Sequence, residues 1–220
     1  MARVSGDRPL LPRHHDDLEV VDLATIGTGE WDRVELVGVL PQGFDEPLLL
    51  TSARVKQASL VGARLANSRL VDVTVSSSDL SGVDLQGASF TRVEFCDVRL
   101  SGAQLAQTRW RDTRLVDCRL EAANVAMSVG DRVRFERCQM EEVEFHSANL
   151  EGVAWWDCDL TSAEFSQVTV SRAQLHGSTI DRLRGASALA PVGIDAEQFP
   201  AFAHLLLDAA GIVVSERDGT

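Results

Sequence analysis

A five-residue repeat runs from Ala53 to Ile180 and constrains the fold more than any other feature of the sequence. Within it, every residue whose number is a multiple of five is apolar, with Gly130 as the exception. The residue two places earlier is small or β-branched, as at Ala58 and Val73, and the other three places are mostly polar. Self-similarity at a fixed period is typical of repeat architectures and constrains the fold more strongly than local helix or strand propensity does.

A period of five matches neither the 3.6-residue period of a helix nor the two-residue period of a strand. The chain must therefore bend after every fifth residue, and four such sides close a square coil. Backbone pairing between coils sets their separation at about 4.8 Å, the usual distance between strands. The large apolar residue at the centre of each side and the small residue two places before it are expected to point inward.

Four units carry a more specific pattern: Ser78-Asp79-Leu80, Val83-Asp84-Leu85, Ala148-Asn149-Leu150 and Cys158-Asp159-Leu160. They resemble the A(D/N)LXX unit of the pentapeptide-repeat family, and the resemblance covers more than half of the chain. It implies an all-β fold, a right-handed quadrilateral parallel β-helix. A local bulge or bend is expected at Gly130, the weak unit of the repeat.

The regions flanking the repeat divide the chain into four parts. Residues 1–17 are polar and expected to be disordered, and residues 18–50 contain strand-like apolar segments that predict an N-terminal β cap. The solenoid itself spans residues 51–184, and residues 185–220 form a linker and a C-terminal helix and strand cap. Caps are expected because a bare terminal coil exposes an open core and an unpaired edge.

Within the C-terminal part, Asp195 is placed to cap the start of a helix, with Gln198 in the capping-box position. Pro200 either kinks this helix or stands at its beginning. Ile212-Val213-Val214 is expected to form a short strand. In the resembling family, members with a similar Ile-Asp-x-x-Gln tail often pair through this end, which implies a homodimer. The candidate dimer contacts are Phe199, Phe202, Leu205 and Leu206.

Composition favours a soluble, cytoplasmic protein. The first residues lack the apolar segment of a signal peptide, and no apolar run reaches the roughly 20 residues that span a bilayer. Cys118, Cys138 and Cys158 are each one predicted coil apart and should stack on one inner face, within disulfide reach by Cα distance. A straight inner column cannot surround a metal ion tetrahedrally, so these cysteines are interpreted as small inner residues. Cys96 should point outward.

The sequence offers no catalytic arrangement. His146 and His176 fall on different sides of the predicted coil and cannot converge, and neither a GxGxxG segment nor a P-loop is present. The outer faces are expected to be flat walls, whereas small-molecule sites are usually concave. A non-enzymatic protein without a cofactor or metal ion is therefore expected.

The net charge of −12 is unevenly distributed. Residues 1–50 hold ten acidic and four basic residues, residues 51–70 hold four basic residues and no acid, and residues 131–170 hold nine acidic and three basic residues. The last segment has a local charge density comparable to that of DNA. The candidate partner-binding residues are Asp131, Glu141, Glu142, Glu144, Glu151, Trp156, Asp157, Asp159 and Glu164.

Stacking should place Glu144 beside Glu164 and Asp131 beside Glu151. Like charges directly opposed across strands are destabilising. Either the long side chains splay apart or a cationic partner relieves the repulsion. Trp156 should point outward beside the acidic coil, and exposed aromatic residues are enriched in binding surfaces.

Three functions are compatible with these features. The preferred hypothesis is a protein-interaction scaffold, because the fold by itself dictates no activity. The second, known for some members of the resembling family, is a DNA mimic that binds a type II topoisomerase such as DNA gyrase and protects it against quinolones or other poisons. The third, direct nucleic-acid binding through Arg54, Lys56, Arg64 and Arg69, is disfavoured by the acidic chain.

Overall fold

A parallel β-solenoid of about eight turns makes up most of the computed structural model, which describes residues 8–13 and 15–212. Fourteen strands in this described part join one sheet that winds around the core. In chain order they are β1 Glu19–Asp22, β2 Glu30–Asp32, β3 Val34–Val39, β4 Leu49–Thr51, β5 Arg54–Ser59, β6 Arg69–Asp79, β7 Ser89–Arg99, β8 Arg109–Val116, β9 Val129–Glu136, β10 Asn149–Glu151, β11 Ala154–Trp156, β12 Thr169–Ser171, β13 Ala173–His176 and β14 Val192–Ile194.

Neighbouring coils pair at a constant offset of four repeat units, as the repeat predicts. Strand β6 pairs with β7 in parallel, with Leu70 opposite Phe90, and β7 pairs with β8, with Phe90 opposite Trp110. The backbone N–H of Leu120 donates to the carbonyl of Gln139 at 2.7 Å, in the next coil along. These pairings confirm a parallel solenoid in which four units complete one turn.

The bends occur two residues after each inward-pointing centre, where the backbone adopts a left-handed conformation. Asn67, Asp72, Ser77 and Gly82 have φ angles of 62°, 55°, 46° and 63°, one at each of four successive corners. L-residues other than Asn and Asp enter this region at a cost, and glycine enters it freely. The main chain thus turns a corner at every repeat unit, which gives each coil four sides.

We name the four sides by the coil around Leu120. Side 1 comprises positions 118–122, side 2 comprises positions 123–127, side 3 comprises positions 128–132 and side 4 comprises positions 133–137. Each side continues in the coils above and below, because the coils stack in register.

The core is filled by the predicted inner columns. Leu80, Leu100 and Leu120 are 5%, 1% and 0% exposed and lie in adjacent coils of side 1. The bulge predicted at Gly130 is wrong, because Gly130 pairs regularly with Trp110 below and Leu150 above. Side chains of Leu150 and Val153 come within 3.3 Å of the position that a Cβ of Gly130 would take, so neighbours fill the space without a bend.

The N-terminal segments extend the solenoid. Strand β1 pairs in parallel with β3, and β3 pairs with β5, with one register irregularity between Leu36 and Gly38. The disorder predicted for residues 1–17 is wrong for residues 8–13, which lie against the solenoid because two of their backbone N–H groups donate to Asp72 and Asp112. Residues 1–7 and 14 lie outside the described part.

The C-terminal end closes the other opening. After a 3-10 helix at Ala186–Leu189, strand β14 pairs with β13, so part of the expected linker is a further strand. Helix α1 spans Phe199–Ala209 with Pro200 in its first turn, which confirms the helix-start alternative. Asp195 caps the preceding turn by accepting the N–H of Gln198 at 3.0 Å.

Helix α1 contributes Phe202 and Leu205 to the core of this end, with Phe202 8% exposed. Of the short strand predicted at Ile212-Val213-Val214, the last two residues lie outside the described part. Across residues 8–13 and 15–212, no helix has the length and apolar character needed to cross a membrane.

Candidate functional site

The nine candidate partner-binding residues do not form one surface. The square coil distributes a continuous stretch of sequence over all four sides, so residues that are close in sequence face different directions. Side 1 holds Glu141, Glu142 and Asp159, side 2 holds Glu144 and Glu164, side 3 holds Asp131 and Glu151, and side 4 holds Trp156 and Asp157.

The predicted like-charge neighbours do adjoin one another. Glu144 pairs with Glu164 across adjacent coils, and Asp131 pairs with Glu151. Arginines of this chain relieve part of the repulsion, however. Arg184 lies 2.8 Å from Glu164, as the next residue of the same column.

Side 3 is neutralised in the same way. Arg132 contacts Asp131 at 2.9 Å, and Arg172 contacts Glu151 at 2.7 Å. Arginines of this chain therefore offset charge in both acidic columns, and Glu144 makes no ion pair within the described residues.

Trp156 is not a free aromatic residue. The guanidinium of Arg134 stacks over its ring at 4.0 Å from the centroid, and Arg134 itself is 9% exposed. Glu136 is also 9% exposed and contacts Arg114 at 2.7 Å and Arg134 at 3.5 Å. Burial alone raises the pKa of Glu136, but the hydrogen bond and charge of Arg114, together with Arg134, hold the pKa below its ordinary value. This cluster stabilises side 4.

Side 1 gathers carboxylates that make no ion pair within residues 8–13 and 15–212. These side-1 carboxylates are Glu121, Glu141, Glu142, Asp159 and Asp181. They occupy four successive coils, a rise of about 14 Å at the usual strand spacing. One carboxylate oxygen of Glu141 is buried and has no hydrogen-bond partner in the described structure. Because Arg119 and Arg182 are the cations in these coils of side 1, the area is net acidic.

Sequence reasoning missed Glu121 and Asp181. Both lie outside the acidic stretch 131–170, yet stacking places them on the side of Glu141. Counting charge by stacked columns, rather than along the sequence, would have found them.

The four early basic residues also fail to form one surface. Arg54 and Lys56 lie on side 4, Arg64 on side 2 and Arg69 on side 3, and Arg64 contacts Asp45 at 3.5 Å. This dispersal gives nucleic acid no continuous basic track.

The outer walls are less flat than expected. A groove of about 380 Å³ lies at the corner between sides 4 and 1 near the N-terminal coils. Ser59 and Ser77 line it with small side chains, and Asp97 and Arg119 give it both signs of charge.

The cysteines occupy the predicted inner column. Cys118, Cys138 and Cys158 are buried, and each thiol donates to the carbonyl two residues before it at 3.3–3.4 Å. Cys96 points outward but is half-buried, and burial raises the pKa of its thiol to about 11. Within the described ranges, no three His, Cys, Asp or Glu residues are grouped to hold a metal ion.

Comparison with known proteins supports the repeat assignment. A model described as "Pentapeptide repeat region" matches residues 88–154, and one described as "Pentapeptide repeats (8 copies)" matches residues 50–87, 58–97 and 144–180. No curated protein matches the chain.

Among solved structures, full-length QnrB1, described as a plasmid-mediated fluoroquinolone resistance protein, is 18% identical with a TM-score of 0.33, covering 84% of this chain and 100% of its own. HetL, described as involved in heterocyst differentiation regulation in the cyanobacterium Nostoc sp. strain PCC 7120, is 16% identical with a TM-score of 0.31 and covers 74% and 86%.

Proposed function

This chain belongs to the pentapeptide-repeat family, and we propose that it is a non-enzymatic scaffold that uses side 1 to bind a basic surface of another protein. The observation that carries the proposal is the group of side-1 carboxylates, which lack ion pairs in the described structure. The backbone ladder holds them on a rigid wall, so little conformational entropy is lost when a partner binds. Complementary charge of this kind mainly supplies specificity and association rate.

Two variants of equal net charge test the proposal. The side-1 variant combines Glu141→Gln, Glu142→Gln and Asp159→Asn. The control variant combines Asp84→Asn, Asp97→Asn and Asp157→Asn, which neutralises three carboxylates on sides 2 and 4. Cross-linking mass spectrometry in cells that produce each protein should show partners with basic surfaces depleted at least about tenfold by the side-1 variant alone. Recovery of the same partners with all three proteins would contradict the proposal.

DNA mimicry directed at a type II topoisomerase is the second candidate. It is favoured by the regular rise of the side-1 carboxylates, about 4.8 Å per coil, along one wall. Arg99 and Arg119, which also lie on side 1, limit how far such a surface could imitate a duplex.

A supercoiling assay with purified DNA gyrase, with and without a quinolone, decides this candidate. A mimic should inhibit or protect the enzyme at micromolar concentration, and the side-1 variant should lose the effect while the control variant keeps it. The absence of any effect at micromolar protein would remove the hypothesis.

We further propose that the protein forms a homodimer through helix α1. Of the four candidate contacts, Phe202 and Leu205 pack into the cap, whereas Phe199 and Leu206 are 64% and 38% exposed. Phe199 and Leu206 are about two helical turns apart and so lie on the same side of α1. They leave an apolar strip beside the cap.

Light scattering should report about twice the 23.9 kDa chain mass for the wild-type protein. Phe199→Asp combined with Leu206→Asp should give the mass of a single chain, because two carboxylates cannot be buried unpaired in an apolar contact. His204→Asp, on the opposite side of α1, should remain a dimer. A wild-type protein of single-chain mass would refute this contact.

A further inference from the structure

Residues 8–13, here called the arm, run across the coils along the corner between sides 3 and 4. The N–H of Leu10 donates to Asp112 at 3.2 Å, and the N–H of Arg13 donates to Asp72 at 3.1 Å. Asp72 and Asp112 stand two coils apart in one column, which separates them by about 10 Å. Three residues of extended chain span about the same length. The spacing of the two amides therefore matches the spacing of the two carboxylates.

The two carboxylates that accept the arm amides are also bound by arginines of the solenoid. Arg92 grips Asp72 through two hydrogen bonds of 2.7 and 2.6 Å, and Arg132 grips Asp112 at 2.7 and 3.0 Å. Asp72 and Asp112 are only 8% and 3% exposed. Each carboxylate is thus fixed by a guanidinium while one of its oxygens accepts an arm amide. We call Asp72, Arg92, Asp112 and Arg132 the corner column.

The sequence of the arm suits this site. Pro9 and Pro12 favour an extended conformation and carry no N–H, so residues 9–13 contain three amides, at Leu10, Leu11 and Arg13. Two of these three donate to the corner column. Pro12 is buried against the solenoid. A segment that is already extended loses little entropy on docking, which is how proline-rich ligands are commonly recognised.

We propose that the corner column is a binding site for an extended Pro-x-x-Pro-Arg segment of a partner protein, and that the arm of this chain occupies it as an internal competitor. The site binds two amides at a three-residue spacing and a buried proline, and, alongside the hydrogen bond from Arg92, the positive charge of the arginine that follows the proline helps to lower the pKa of Asp72. The corner column lies between sides 3 and 4, away from side 1, so this site is independent of the scaffold surface proposed above. The arm is held by few buried contacts, which is the condition for local opening.

The test uses the full chain and a fluorescent peptide with the arm sequence Arg-Pro-Leu-Leu-Pro-Arg. Pro12→Glu should detach the arm, because docking would bury an ionised carboxylate at the position where Pro12 is buried. Amide hydrogen exchange at Leu10 and Arg13 should then accelerate at least about tenfold. By fluorescence anisotropy, the peptide should bind this variant at least about tenfold more tightly than it binds the wild-type chain.

Two further substitutions, each made separately in the Pro12→Glu chain, test whether the peptide binds to the corner column. Asp112→Ala removes an acceptor and should weaken peptide binding at least about tenfold. Asp117→Ala is the control for loss of an aspartate–arginine pair, since Arg137 binds Asp117 through two hydrogen bonds of 2.7 and 2.9 Å at a more exposed corner. It should leave binding unchanged. Pro12→Gly, which loosens the arm without adding charge, should give a smaller gain in the same direction.

Four results would overturn the proposal. The first is no peptide binding to either arm variant while circular dichroism shows both folded. The second is equal affinity for the wild-type and Pro12→Glu chains, and the third is binding that Asp112→Ala does not weaken. Protection of the Leu10 amide that disappears on dilution would also contradict it, because the site would then hold the arm of a second copy.

Discussion

Phe145→Ala should lower the free energy of unfolding by about 3–5 kcal/mol, the range for truncating a buried aromatic residue. Phe145 is 1% exposed, and its ring lies 4.7 Å from Phe165, 5.8 Å from Trp155 and 6.3 Å from Phe135 between centroids. The backbone ladder fixes the distance between coils, so the surrounding rings cannot close over the space. The cavity left by the missing ring should therefore remain open and lower the free energy of unfolding by the full amount.

His146→Ala is the control, because His146 is the exposed residue that follows Phe145 in the same unit. It should change stability by less than about 0.5 kcal/mol. Urea unfolding followed by circular dichroism measures both variants. A loss below about 1.5 kcal/mol for Phe145→Ala would mean that the aromatic stack is looser than described, since even modest core truncations reach that size.

Glu136→Gln should cost about 3 kcal/mol, because it leaves the buried Arg134 without its ion-pair partner and leaves Arg114 paired with Glu94 alone. Glu136 bridges the two guanidiniums, and Arg134 is pressed against Trp156. A neutral amide can keep one hydrogen bond but cannot stabilise two cations. The loss should appear as a lower urea midpoint at neutral pH.

Asp117→Asn provides the exposed counterpart. Asp117 and Arg137 are joined by two hydrogen bonds, but their side chains are 55% and 53% exposed, so the change should cost about 0–1 kcal/mol. If Glu136→Gln and Asp117→Asn lowered the free energy of unfolding equally, burial of the Glu136 cluster would not increase its contribution to stability.

The effect of Glu136 should also depend on pH in a defined direction. Its pKa is lowered in the folded protein from an ordinary value of 4.5, so its charge stabilises the fold above that pH. This contribution is lost as the pH falls through the lowered pKa. The stability difference between the wild type and Glu136→Gln should therefore be constant near neutrality and shrink below pH 4.5. A difference that grew on acidification would have the wrong sign.

The inner architecture could be predicted because it depends on the five-residue apolar pattern and on regular backbone pairing between coils. A bend at every fifth residue and a coil of four sides determine which residue lies above which, so the columns through Leu120 and Cys138 follow from numbering. Gly130 shows the limit of this reasoning. Local propensity suggested a bulge, but packing by Leu150 and Val153 overrode it.

The outer surface could be predicted only in part. The 20-residue offset between coils predicts that Glu144 lies beside Glu164. It does not predict the side-chain conformation that brings Arg184 to Glu164. Charge was counted along the sequence, and for that reason Glu121 and Asp181 were missed. The arm was missed because the carboxylates that accept its amides lie far along the chain, in the middle of the solenoid. Composition carries no information about such contacts.

Every surface described here depends on residues four repeat units apart being neighbours, and scalar couplings across hydrogen bonds measure this directly by NMR. We expect a coupling between the amide nitrogen of Leu120 and the carbonyl carbon of Gln139, and another between the amide nitrogen of Met140 and the carbonyl carbon of Asp159, because the N···O distances are 2.7 and 2.8 Å. Couplings from these amides to carbonyls only three or four residues away would contradict the solenoid and, with it, the grouping of carboxylates on side 1.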